Sequence, residues 1–161
     1  MKMSLTNTMV KQIVQAVRDN KLRYAIGGIY ENILIITCDG AAIYRAEVNS
    51  DFTDYIKKVK QPAADFIAMT HLIESMDKYI CRSYQYDDFI EIMHHGQKHK
   101  QIEYNGKKYL FDGRYLTQFK SGKKYQLNLF IYSDFHGLVV KEYLPHDDIF
   151  DTVAVIMGVR A

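Results

Sequence analysis

His94, His95 and His99 crowd into one short stretch, a few positions after Asp87, Asp88 and Glu91. Imidazole nitrogen beside carboxylate oxygen is the ligand chemistry of zinc and other first-row transition metals, so a small metal-dependent enzyme is one thing this segment offers. The spacing speaks against it. His95 and His99 would share a helix face, but Gly96 lies between them and no HExxH-type base accompanies them. The plainer reading is a solvated loop with incidental imidazoles. His71, inside an apolar stretch, reads as a helix-surface or core residue rather than a ligand. No GxGxxG, P-loop, GxSxG or CxxC pattern occurs, so neither nucleotide cradling nor nucleophilic catalysis has support. The expectation is a non-enzymatic chain with no metal and no cofactor.

The cations offer a second chemistry. Lys11, Gln15 and Arg18 form one stripe at helical spacing, and Arg114, Gln118 and Lys120 line the exposed side of a later expected helix, with Lys123 and Lys124 following. Groups arranged this way neutralise phosphates without reading bases. The plain alternative is a solvated face, since the formal net charge is only +2 and a local basic surface matters more than that total. Nothing has the pattern of a helix-turn-helix, a zinc finger or a stacking platform, so sequence-specific reading of DNA is not expected.

Composition narrows the setting. A chain of 161 residues is read as one domain, or at most two small ones, able to bury roughly 70% of its unfolded surface without a disulfide or metal. Cys38 and Cys81 supply no disulfide framework and no paired metal spacing, which fits two reduced and part-buried thiols of a cytosolic protein. Met1-Lys2-Met3-Ser4 leads into mixed polar residues rather than a secretory apolar region, and no run approaches the ~18 apolar residues of a membrane span. A cytoplasmic protein with no membrane partner is expected.

The elements that would position these groups follow from periodicity. Val10, Ile13, Val14 and Val17 predict an amphipathic helix over Thr6–Asn20. Strands are predicted over Arg23–Tyr30, Ile33–Cys38 and Ala41–Val48, punctuated by Glu31-Asn32 and Asp39-Gly40. Phe66, Met69, Ile73, Met76 and Ile80 recur at helical spacing behind Pro62, predicting a helix over Pro62–Lys78 whose Met and aromatic stripe reads as core or partner contact. Tyr79–Tyr86 reads as a strand, and Asp87–Lys100 carries no clear period. The last third reads as a strand from Lys107 to Phe111, a short helix around Arg114–Lys120, and strands over Tyr125–Tyr132, Leu138–Leu144 and Thr152–Arg160. Asp134-Phe135-His136-Gly137 and Pro145-His146-Asp147-Asp148 carry turn chemistry between them. A helix followed by a three-strand meander thus occurs twice.

Several segments resemble a known family. Phe111-Asp112-Gly113-Arg114-Tyr115-Leu116 is similar to the strand-to-helix signature of the last domain of bacterial DNA sliding clamps, the DNA polymerase III beta subunit. Val155-Ile156-Met157-Gly158-Val159-Arg160-Ala161 resembles the clamp's final strand and tail, with Gly158 where the family has proline and Ala161 where it has a terminal leucine. Ile35-Ile36-Thr37-Cys38-Asp39-Gly40 with Ile43-Tyr44-Arg45 resembles its strand-turn-strand segment. The resemblance implies an α+β fold: one clamp-like domain over 1–161, made of two helix-plus-antiparallel-meander units at 5–48 and 101–161, with a helical insertion at 49–100. It implies non-specific contact with duplex DNA through Lys11, Gln15, Arg18, Arg114, Gln118 and Lys120, and a replication or repair role. It places Met157, Gly158, Val159 and Arg160 at a groove for peptides of replication proteins. Clamp rings hold six such domains, so encircling DNA would require a homo-oligomer joined through edge strands. The alternative is an interaction module or regulator, encoded by a mobile element, that binds a clamp, polymerase or other partner through Pro62–Lys78 and the middle segment.

Overall fold

Strands make up 62% of the described residues, so antiparallel pairing rather than helix packing sets the architecture. The computed structural model describes residues 24–30, 33–38, 41–47, 54, 66–120 and 124–159. The helix expected over Thr6–Asn20, with Lys11, Gln15 and Arg18, lies outside them, as do Asp39-Gly40, Pro62 and Arg160. By compactness the chain divides into two units, Met1–Ser75 and Met76–Ala161.

In the first unit β1 (Tyr24–Tyr30), β2 (Ile33–Cys38) and β3 (Ala42–Glu47) form the expected meander. The β1–β2 register slips between Ile26 and Gly28, whereas β2 and β3 pair without interruption from Ile33↔Glu47 to Cys38↔Ala42. Ile35 and Ile36 are both fully buried although a strand points them to opposite faces, so the middle of β2 is covered on both faces. The helix α1 (Phe66–Ser75) packs on β1 and buries Ile73. Arg45, itself buried on β3, brings Nη1 to 3.9 Å from Glu74 Oε1 on α1.

The second unit opens with a 3₁₀ turn (Met76–Tyr79) and β4 (Ile80–Tyr84). A 3₁₀ turn (Tyr86–Asp88) then leads to β5 (Ile90–His94), β6 (Gln97–Tyr104) and β7 (Lys107–Asp112). Two further 3₁₀ turns (Gly113–Tyr115 and Thr117–Phe119) precede β8 (Tyr125–Tyr132), β9 (Phe135–Leu144) and β10 (Ile149–Met157). Strands β10, β9, β8 and β4 lie side by side, and β5, β6 and β7 form a separate three-stranded sheet. Leu127, Leu129, Leu138, Val140 and Ile156 are fully buried. A chain of rings joins the two sheets: Tyr84 meets Phe89, Phe89 meets Phe111 of β7, and Phe111 and Tyr109 both meet His136 of β9. Buried Asn128 is satisfied, donating to Val139 O at 3.0 Å and accepting from Ser83 Oγ on β4. Gly137 marks a close approach, since a Cβ there would lie 2.6 Å from both Ile156 O and the Phe130 ring. No described helix is long and apolar enough to cross a membrane.

The half-buried His136 ring has a pH consequence. Burial pushes its pKa below the ordinary 6.5, against a weaker opposing pull from Leu110 O, and Lys107 lowers it further. Because the unfolded chain takes up that proton more readily, the contribution is full above pH 6.5 and is lost as pH falls through the lower folded value. Thermal stability is therefore expected to decline on acidification from pH 7 to 5, and His136→Gln to flatten that slope. An unchanged slope in the variant contradicts this.

The α+β clamp-like expectation does not survive. The segment 49–100, expected as a helical insertion, instead contributes β4, β5 and the first half of β6, and α1 belongs to the unit before them. Two hairpin turns with left-handed residues decide this: His95 (φ 50°) with Gly96 (φ 77°), and Asn105 (φ 50°) with Gly106 (φ 74°). The second framework helix, expected over Arg114–Lys120, is a pair of 3₁₀ turns, closed by Leu116 N donating to Gly113 O at 3.2 Å and Phe119 N to Leu116 O at 2.9 Å. So few residues between Gly113 and Gly122 cannot offset the cost of nucleating an α-helix. The region gains instead by burying Tyr115, Leu116 and Phe119.

Candidate functional site

Strand alternation puts Lys98 and Lys100 on one face of β6. Their cross-strand partners on β5, Met93 and Glu91, share that face. Where β7 ends, Asp112 accepts from Arg114 N at 3.0 Å and so starts the 3₁₀ turn that swings the chain back. Gly113 passes close to β6 here, because a Cβ on it would lie 3.2 Å from Lys98 O. The turn delivers Arg114, and the next one ends at Lys120. Tyr86, from the turn before β5, completes the wall. Tyr86, Glu91, Lys98, Lys100, Asp112, Arg114 and Lys120 line an open cleft of ≈ 430 Å³, which Met93 does not reach.

Its electrostatics are one-sided. Lys98, Lys100, Arg114 and Lys120 face the cleft with two carboxylates, Glu91 and Asp112. Lys100 Nζ stands 4.0 Å from Glu91 Oε1, and Arg114 Nη2 stands 2.7 Å from Asp112 Oδ2. Among the described residues Lys98 and Lys120 have no carboxylate within ion-pair distance. The Lys100 and Lys120 ammonium groups lie 4.9 and 5.8 Å from the centre of the Tyr86 ring, within cation–π range. Burial pushes the Asp112 pKa up, but side-chain and backbone hydrogen bonds from Arg114 outweigh it and hold the carboxyl below its ordinary value. Asp112 is thus a poor proton acceptor near neutrality. The arrangement suits holding an anion rather than moving a proton.

Of the residues singled out from sequence, Arg114 and Lys120 meet in this cleft, and the backbone of Gln118 runs between them. Lys98, Lys100 and Tyr86 were missed. The signal for the lysines was their two-residue spacing directly after a His-Gly turn, which matters only once the segment is read as a strand. Lys124 is elsewhere engaged, its Nζ 3.2 Å from buried Glu142 Oε1; burial lowers its pKa, but the bond to Glu142 prevails and raises it.

The closing segment is stitched into the second unit. Met157 ends β10 half-buried, Gly158 N donates to His136 O at 2.9 Å, and Val159 N donates to Leu110 O at 2.8 Å. A side chain at Gly158 would overlap the His136 ring. The His94 ring is in edge-to-face contact with His95 and His99, at 4.2 and 5.1 Å between centres. His99 is buried with Nδ1 3.1 Å from Gln97 O. No group of three or more metal-ligating side chains that could hold an ion occurs among the described residues.

No protein-family model, curated protein or solved structure matches this chain.

Proposed function

We propose that this chain is a non-catalytic, cytoplasmic nucleic-acid-binding protein that holds phosphates in the cleft between β6 and the turns after β7, as an accessory of DNA replication or repair. One observation carries the reading: four cations converge on a single concavity with only two carboxylates, and two of the four have no carboxylate partner among the described residues. Non-specific affinity for nucleic acid is supplied by such an excess of positive charge. The replication or repair setting rests on the resemblance of Phe111–Leu116, Val155–Ala161 and the stretch 35–45. Encircling of DNA is not part of the proposal, because it needed paired framework helices and the second of these is a pair of 3₁₀ turns.

Asp112→Asn tests the reading in an unusual direction. Asparagine can still accept from Arg114 N, but it removes a negative charge and releases the guanidinium from its carboxylate partner. Affinity for labelled oligonucleotide at low salt is expected to rise, by up to about fivefold for a pair with an exposed Arg114 worth up to ~1 kcal/mol. Weaker binding by a folded Asp112→Asn protein would show that the cleft is not where the phosphates sit.

A second reading, an interaction module, is favoured by β5. It is the outer strand of its sheet, with Ile90 57% and Met93 64% exposed. Such an edge can accept a strand from a partner protein. Partner capture abolished by Met93→Lys, with no nucleic-acid binding by the parent chain, would favour it over the first.

A further inference from the structure

Resting on that reading of the cleft, we infer that its ligand is a single strand of nucleic acid, with successive phosphates along Lys98 and Lys100 and a base against Tyr86. Three features support this. The cations line the inside of a concavity of ≈ 430 Å³, whereas a duplex is a stiff convex rod whose phosphates are better met by a flat or saddle-shaped face. A single strand can turn one nucleotide inward.

Spacing is the second feature. Lys98 and Lys100 are two residues apart on a strand, so their stems leave β6 about 6.7 Å apart. That is close to the step between neighbouring phosphates on an extended strand. The lysines therefore read a backbone running along β6. On this placement Arg114 and Lys120 reach the same cleft from the turns after β7.

The third feature is Tyr86. The sequence shows no stacking platform, but the fold sets this half-buried ring into the cleft wall with two ammonium groups within 5.8 Å of its centre. Cations flanking an aromatic ring in a groove are the makings of a single-strand site, where bases stack on the ring whatever their identity. Phosphates draw Lys100 and Lys120 off the ring, and a base takes their place. Duplex binding has no use for the ring, since its bases are already stacked on each other.

The test is fluorescence anisotropy with the full chain, using a labelled oligothymidine of about 15 nucleotides and the same strand annealed to its complement. The single strand is expected to bind at least tenfold more tightly than the duplex. Tyr86→Leu should lower single-strand affinity about tenfold, while Tyr86→Phe retains it; near-ultraviolet circular dichroism on both variants establishes that the second unit is folded. Duplex affinity equal to or above single-strand affinity overturns the inference and leaves the phosphate-holding reading intact. So does a folded Tyr86→Leu protein that binds the single strand as well as the parent. Binding to neither form overturns both.

Discussion

Replacing Lys98, Lys100, Arg114 and Lys120 together with glutamine is expected to lower nucleic-acid affinity by roughly two orders of magnitude at low salt and to remove most of its salt dependence. Four phosphates neutralised on a single strand give a slope of log affinity against log salt of about −2.8, a loss of roughly 50-fold between 50 and 200 mM. The variant should titrate nearly flat. Stability should change little. Lys98, Arg114 and Lys120 are exposed, and the two ion pairs involve an exposed Glu91 and an exposed Arg114, so each is worth no more than ~1 kcal/mol. Lys100 is more enclosed, and glutamine keeps part of the stem that packs there. A folded quadruple variant that binds with the parent's affinity and slope would remove the cleft from consideration.

The second large effect concerns the scaffold. Phe111 is fully buried and sits edge-on to Phe89 and His136, 6.0 and 5.5 Å between ring centres. With Tyr109, it links the small sheet to His136 of β9. Phe111→Ala should cost about 3–5 kcal/mol, from lost transfer energy and the cavity left behind. Against a typical total of about 5–15 kcal/mol, that is enough to leave a measurable fraction unfolded. The second unit should melt at least about 12 °C lower. The cleft should suffer with it, because Asp112 and the turn carrying Arg114 follow directly on Phe111. A melting point within a few degrees of the parent's would mean that the sheets are held by other contacts. Comparing the two variants separates charge from structure: the first should lose binding while folded, the second by unfolding.

The sequence was most legible where strand signals were clear. Tyr125–Tyr132, read from its alternation, and Ile33–Cys38, an apolar run bounded by Asp39-Gly40, are strands with the predicted bounds. In each, burying one face or both compels the register. Strand β6 was not legible, because its Gln97-Lys98-His99-Lys100-Gln101 run has little intrinsic strand preference. Its conformation is imposed by β5 and β7 on either side and by two left-handed turns. Of these, Asn105-Gly106 was the usable sign, being the strongest short hairpin signal. The helix expected around Arg114 failed for the opposite reason. Tyr115, Leu116 and Phe119 do recur as on a helix face, but the stretch is too short to nucleate, and two 3₁₀ turns bury the same side chains.

The cleft shows the same division. Arg114 and Lys120 could be chosen as exposed cations from sequence, though a helix face was the wrong reason for grouping them. Their grouping with Lys98 and Lys100 depends on β6 running beside the turn, which Gly113 permits by its approach to Lys98 O. No local pattern encodes that adjacency. Likewise His94, His95 and His99, read from sequence as incidental imidazoles of a solvated loop, lie on the β5–β6 hairpin with their rings in contact and His99 buried.

The most direct measurement is to follow backbone amide resonances of the isotope-labelled chain while adding a short oligothymidine. Holding phosphates in the cleft predicts saturable shifts concentrated at Tyr86, Lys98–Lys100, Gly113–Thr117 and Lys120. Shifts that spare those positions and gather on β5 or in the first unit, or no shifts at all at oligonucleotide excess, would contradict it.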